Sequence, residues 1–260
     1  MADTVLYDKQ EDSGIVIITL NRPKALNAIN RQLLAELREA LTRFDQDKDA
    51  KLGIITGAGR AFCAGRDLKE RAQEDSQGIQ AKGIDSMSAT SPYMWPQTWK
   101  PLIAAINGYA LAGGWSIAQI CDLRLAAEDA KLGITETRVG LLPPFATILP
   151  RLIPMSSVLE LVFTSDPISA QRGLEIGFIN KVVPQEQLMA EALTLAKRVL
   201  TNSPLALKHF KELAYRSLDM NISTINPLIL EAYDQLLQSQ DSKEGPLAFT
   251  EKRLPQWEGM

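Results

Sequence analysis

Phe62-Cys63-Ala64-Gly65-Arg66-Asp67-Leu68 and Asn107-Gly108-Tyr109-Ala110-Leu111-Ala112-Gly113-Gly114 are two glycine-centred stretches, each placed just after an apolar, strand-like run. Gly65 lets the chain turn sharply enough to expose the amide of Arg66. Gly113 falls where a helix is expected to begin, so its N–H lacks an intrahelical acceptor and is favoured by the helix dipole. The two stretches read as paired loops that aim backbone N–H groups at one carbonyl oxygen. A third segment, Gly133-Ile134-Thr135-Glu136-Thr137-Arg138-Val139-Gly140-Leu141-Leu142-Pro143, adds a single acid, Glu136, among apolar neighbours Leu132, Ile134, Val139 and Leu141.

Working outward, Gly14 to Leu20 is β-branched and nearly continuously apolar, as a strand buried on both faces would be. It ends at the turn signal Asn21-Arg22-Pro23. Leu33, Leu34, Leu37, Leu41 and Phe44 then recur at helical spacing behind Asn30, a suitable N-cap. Leu52 to Thr56 and Leu102 to Asn107 read as further buried strands, followed by a short helix from Trp115 to Ile120 and a strand from Asp122 to Ala127. This alternation predicts an α/β fold with parallel crossovers. A helix from Ile168 to about Gly177, a strand from Ile179 to Val183 and a helix from Pro184 to about Leu200 continue it. Residues Arg71 to Trp99 show no sustained period and read as a mobile or substrate-covering segment. Its Met87, Met94, Trp95 and Trp99 either form an apolar wall or tuck a long loop against the core. From Pro204 onward only helical patterns occur, so the boundary falls between a 1–202 core and a 203–260 helical region.

With 45% hydrophobic residues in 260, the chain can bury a substantial core, and a formal charge of −3 offers no basic field for nucleic acid or an anionic membrane. No run approaches the roughly 18 apolar residues of a membrane span, and Met1-Ala2-Asp3-Thr4 has no transit-peptide character, which predicts a cytoplasmic location. Cys63 and Cys121 lack metal-ligand spacing and read as buried thiols. One histidine, His209, excludes an imidazole-built metal site and argues against a serine–histidine triad.

Two fixed N–H donors suit a thioester carbonyl that becomes an enolate when a neighbouring proton leaves, because they cannot titrate and need no reorganisation. Thr19-Leu20-Asn21-Arg22-Pro23-Lys24-Ala25-Leu26-Asn27-Ala28, the two glycine stretches, Cys121-Asp122 and Glu136 to Pro143 together resemble the crotonase superfamily, the enoyl-CoA hydratase/isomerase group, over essentially the whole chain. The resemblance implies a crotonase-like spiral of repeated strand-strand-helix turns and a C-terminal helical trimerisation region. It further implies an acyl-CoA thioester as ligand, assembly as a homo-trimer or dimer of trimers, and no separate cofactor, since coenzyme A arrives with the substrate. Carried across residue by residue, the oxyanion amides fall on Arg66 and Gly113. Two glutamates serve catalysis in many members; the second falls on Glu136, and the first falls on Ser116, a departure from the two-acid pattern. Arg22, Lys24, Ala25 and Leu26, with the backbone around Ala64, Arg66, Asp67 and Leu68, fall where the nucleotide end is held. Lys24, Lys252 and Phe249 are candidate contacts to phosphates and adenine, the last two from a neighbouring subunit.

Hydration wants a water deprotonated on one side of a double bond and a proton delivered to C2, which two carboxylates manage well; a shift from β,γ to α,β needs one base. The single acid therefore favours isomerisation slightly, with hydration by Glu136 and a water held near Ser116 as the alternative. Burial of Glu136 is expected to raise its pKa. The Arg66 side chain either meets a polar acyl group or bridges to Asp67 or Glu70. Gly57-Ala58-Gly59 lacks the third glycine of a dinucleotide loop, and Gly114-Trp115-Ser116-Ile117-Ala118 only approaches a nucleophile elbow. A non-catalytic acyl-CoA-binding protein is the alternative of another class.

Overall fold

The computed structural model describes residues 3–10, 13–78 and 98–259. Strands β1 (Val5–Gln10) and β2 (Ile15–Leu20) pair antiparallel, with Val5 opposite Leu20. Helix α1 (Arg31–Gln46) starts where the Asn30 side chain accepts the Leu33 N–H at 2.9 Å, and buries Leu33, Leu37, Ala40, Leu41 and Phe44 as the spacing predicts. Each of its large apolar side chains stabilises the fold by roughly 1.5–3 kcal/mol relative to exposure.

The chain then winds in repeated turns. Strand β3 (Leu52–Gly57) is followed by the short β4 (Ala61–Cys63) and helix α2 (Leu68–Ser76), then β5 (Leu102–Ile106) by β6 (Tyr109–Leu111) and α3 (Gly113–Gln119). Strand β7 (Leu123–Ala127) is followed by β8 (Lys131–Gly133), 3-10 turns at Glu136–Val139 and Pro144–Arg151, and α4 (Met155–Thr164). The last pieces of the core are β9 (Ile168–Ser169), α5 (Ala170–Glu175), β10 (Lys181–Val183) and α6 (Leu188–Val199). Six strands form one sheet in the order β1-β2-β3-β5-β7-β10, parallel except for β1. Four short ones form a second sheet, β4-β6-β8-β9, parallel except for β9. Each turn of the spiral thus gives one strand to each sheet before a helix returns the chain.

Ile18, Ile54, Ile55, Ile103, Ile106 and Leu125 are fully buried in the core, and Trp115 stacks on Phe178 at 4.1 Å between ring centroids. Helices α7 (Pro204–Arg216), α8 (Ile222–Gln238) and α9 (Asp241–Glu251) follow. Lys211, buried on α7, anchors them to the core by pairing with Asp122 at 2.8 Å and donating to the Lys100 carbonyl at 2.8 Å.

One expectation needs correction and one alternative is resolved. The 71–99 stretch, set apart from the elements around it for want of a sustained period, begins inside α2, a largely exposed polar helix with little apolar periodicity to detect. Trp99 adopts the second of its two readings, packing its ring 6.4 Å from that of Tyr215 on α7 beneath Arg216. Met87, Met94 and Trp95, and with them most of the segment read as covering the substrate, lie outside the described residues. Cys63 and Cys121 are free and fully buried, and burial pushes each thiol up to about 12.

Candidate active site

Strand β4 delivers the first loop. The Ala64 N–H donates to the Leu26 carbonyl at 3.0 Å, and Gly65 adopts φ +89°, a conformation L side chains rarely take. Ile29 then bridges the loop: its N–H donates to the Gly65 carbonyl at 2.7 Å and its carbonyl accepts the Asp67 N–H at 3.0 Å. These bonds use the groups on either side of the Arg66 amide, which itself meets no backbone acceptor among the described residues.

The second loop comes from β6. Ala112 sits at φ 52°, donates its N–H to the Gly133 carbonyl at 2.8 Å, and is followed by Gly113, the first residue of α3. The Gly113 N–H is therefore one of the four that an α-helix leaves without an internal partner. The two loops touch: a Cβ placed on Gly65 would lie 3.4 Å from the Gly113 nitrogen, and one on Gly113 would lie 4.0 Å from the Arg66 nitrogen. The two amides proposed from the sequence stand side by side.

Glu136 reaches the same end of the molecule through β8, whose Gly133 carbonyl holds the Ala112 amide three residues before the acid. It opens a 3-10 turn closed by Gly140 at φ 71°, and the Thr137 hydroxyl ties the turn to α4 by donating to the Val162 carbonyl at 2.7 Å. The Glu136 Oε2 atom is buried and has no hydrogen-bond partner among the described residues. Desolvation outweighs the lowering effect of the backbone N–H groups of residues 136 and 135 and raises its carboxyl from the ordinary 4.5 to about 7. Of the apolar residues that flank it in sequence, Leu132 and Ile134 are fully buried, whereas Val139 is 54% exposed. Ser116 is fully buried within α3.

The Arg22-to-Leu26 turn lies against the first loop. Arg22 pairs with Asp67 at 3.0 Å and also donates to the Ala28 carbonyl, so its guanidinium is engaged within the protein. Burial works to raise the Asp67 carboxyl, but Arg22 and the Glu70 and Lys69 amides together hold it below the usual range. Lys24 is exposed, Ala25 half-buried, and Leu26 adopts φ 53°. Asn27, fully buried at φ 56°, accepts the Arg22 N–H at 2.8 Å and donates to the carbonyls of Ala58 at 2.9 Å and Ala61 at 2.7 Å. Asn27→Ala leaves these backbone groups without their partner and is expected to cost about 2–4 kcal/mol, read as a lower urea midpoint at unchanged slope.

Leu68 is half exposed at the start of α2. Phe249, 85% exposed, and Lys252 lie at the end of α9, which packs against α8 and, through Ser203 and Asp241, against the start of α7. His209 lines a groove between α7 and α8 with Leu213, Leu228 and Ala232. The Arg66 side chain bridges to neither Asp67 nor Glu70; its guanidinium meets Glu74 at 3.2 Å, one turn further along α2, because the helix carries that acid back over the loop. Glu74 is the member of this neighbourhood that the sequence reading passed over.

The two-sheet α/β spiral thus brings two loops together, Gly65-Arg66 and Ala112-Gly113, and ties the second of them to Gly133, three residues before Glu136. A family model described as Enoyl-CoA hydratase/isomerase matches residues 10–260. The chain is 34% identical over 254 residues to a crotonyl-CoA hydratase of Syntrophomonas wolfei subsp. wolfei, covering 96% of both chains. To a carnitinyl-CoA dehydratase of Escherichia coli O157:H7 it is 36% identical over 255 residues, 95% of this chain and 96% of that one. The fold superposes on the crystal structure of an enoyl-CoA hydratase from Bacillus anthracis with a TM-score of 0.91 and 37% identity, over 99% of this chain and all of the other. The chain belongs to the enoyl-CoA hydratase/isomerase family of the crotonase superfamily.

Proposed function

We propose that this enzyme binds an acyl-CoA thioester, holds its carbonyl oxygen on the amides of Arg66 and Gly113, and uses Glu136 as the single proton carrier. The observation that carries the reading is the Glu136 carboxyl, buried at Oε2, without a partner among the described residues and raised to about 7, in the turn that follows Gly133, whose carbonyl holds the Ala112 amide of the second loop. A carboxyl near 7 exchanges protons readily at neutral pH in either direction.

In the favoured reading, the Glu136 carboxylate removes the C2 proton of a 3-enoyl ester. The C2–H electrons flow into a dienolate whose oxygen rests on the two amides, and the same proton returns at C4. The names of the similar hydratases support a second reading, in which protonated Glu136 gives its proton to C2 of a 2-enoyl ester while water adds at C3 and returns a proton to Glu136. Ser116 would then orient that water. Coenzyme A comes with the substrate and no other cofactor is required.

The exposed Leu230, Tyr233, Leu237, Phe249 and Leu254 of the C-terminal region support a trimeric assembly, in which Phe249 and Lys252 approach a neighbour's nucleotide site. Among the described residues no helix is long and apolar enough to cross a membrane.

The two readings separate by pH. A Glu136 base must be ionised, so kcat/KM for a 3-enoyl ester is expected to rise through about pH 7 and level off above it. A Glu136 acid must be protonated, so kcat/KM for a 2-enoyl ester is expected to fall above the same point. Assays of paired 2-enoyl- and 3-enoyl-CoA esters from pH 5.5 to about 8.5 decide between them; turnover of neither ester removes both.

A further inference from the structure

Glu74 is an acid withdrawn from water and shared by two arginines. Its side chain is 8% exposed, with Oε1 2.5 Å from Arg31 Nε and Oε2 3.2 Å from Arg66 Nη2. A carboxylate so placed is costly unless it is paired, and removing a partner from such a cluster is felt directly. Helix α2 does not need it as an anchor. Asp67 already holds the N-terminal end through Arg22, and Glu70 accepts the Arg31 backbone N–H at 3.0 Å. Asp67, Glu70 and Glu74 lie on one helical face, and only the last reaches the Arg66 side chain.

The contacts close a ring. Ile29 bridges the backbone at Arg66, the Arg66 guanidinium meets Glu74, Glu74 meets Arg31, and Arg31 follows Ile29 by two residues. Residue 66 is therefore strapped through its backbone on one side and through its side chain on the other. An oxyanion donor acts only when held within a few tenths of an ångström of its working position. We propose that Glu74 is a positioning residue for the oxyanion hole, fixing the Arg66 amide by holding its guanidinium. This rests on the reading of Arg66 and Gly113 as the oxyanion pair. It also explains how an arginine is accommodated there: its charge is directed onto α2 rather than left free beside the reacting carbonyl.

The test uses the full-length protein and whichever CoA ester the wild type turns over, with infrared difference spectra of the bound thioester C=O stretch as a second readout. Glu74→Ala is expected to lower kcat about tenfold, less than outright loss of a donor, with KM changed by no more than about twofold. The bound C=O band should move back toward its position in free ester. In an Arg66→Met background, adding Glu74→Ala should cause no further loss, since the strap is already cut. Glu74→Gln, isosteric with one acceptor fewer, should fall between wild type and alanine, and carries the test if the alanine variant does not fold. Wild-type kcat and an unmoved band in the Glu74 variants overturn the inference, as does a full additional loss in the Arg66→Met background. If the wild type turns over no CoA ester and shifts no carbonyl band, the functional reading itself falls, and this inference with it.

Discussion

Replacing Glu136 with glutamine is expected to lower kcat by about 10³-fold while leaving CoA-ester affinity within a few-fold of wild type and making the folded protein more stable at pH 8. Activity is lost because glutamine can neither accept nor supply a proton, and no second acid occupies the position where Ser116 stands. Binding persists because the amides of Arg66 and Gly113 and the 22–26 turn are untouched. The stability gain follows from the sign of the pKa change. In the folded state Glu136 holds its proton up to about pH 7 against an ordinary 4.5, so between these values the folded protein binds more protons than the unfolded chain and stability falls as pH rises. Below about pH 4.5 the penalty is absent; above pH 7 it is complete. Glutamine, uncharged throughout, escapes it, and the expected gain is about 3 kcal/mol at pH 8 and near zero at pH 4.5. Urea denaturation at the two pH values, beside isothermal titration with a CoA ester, checks both halves. A variant that loses activity without gaining stability at pH 8 would show that Glu136 is not desolvated as described.

The second large effect is expected at Gly114. A Cβ there would lie 2.0 Å from the Cys63 carbonyl oxygen and 2.8 Å from its carbon, both backbone atoms of β4, so no side-chain rotation relieves the overlap. Alanine in a helix normally gains about 1 kcal/mol over glycine. Here the clash outweighs that gain, and Gly114→Ala is expected to cost about 3 kcal/mol or more. Any protein that folds must have moved α3 away from β4, which carries the Gly113 amide away from the Arg66 amide. Residual kcat is therefore expected to fall about 10²-fold, the loss associated with one oxyanion donor. Gly177→Ala supplies the contrast. That glycine has φ 82° and open space around its Cβ position, so only the backbone term remains, about 1 kcal/mol, with activity retained. Equal costs at the two positions would mean that the contact between α3 and β4 is not the tight one described.

The long buried strands and the amphipathic helices were legible because their patterns are strong. Ile15–Leu20, Leu52–Gly57 and Leu102–Ile106 are nearly unbroken apolar runs, and α1 carries a cap and an apolar stripe. The second sheet was not. Its strands β4, β6, β8 and β9 are two or three residues long, too short to show any period, and are specified by partners distant in sequence. The edge strand β1 alternates buried and exposed residues around charged side chains and was also passed over. Arg66, Gly113 and Glu136 stood out because the glycines and the isolated acid have local reasons to be where they are. Glu74 did not, although Asp67, Glu70 and Glu74 at helical spacing carried the signal; a carboxylate's role here depends on Arg31 and Arg66 folding onto it, which no local pattern states.

The central step is the formation of a thioester enolate between the two amides and Glu136. Incubating butyryl-CoA with the enzyme in heavy water and following C2 by proton NMR tests it without presupposing isomerisation or hydration. Deuterium should enter C2 with the wild type and not with Glu136→Gln, although both bind the ester. Absence of exchange in the wild type, or exchange at the same rate in the glutamine variant, would contradict it.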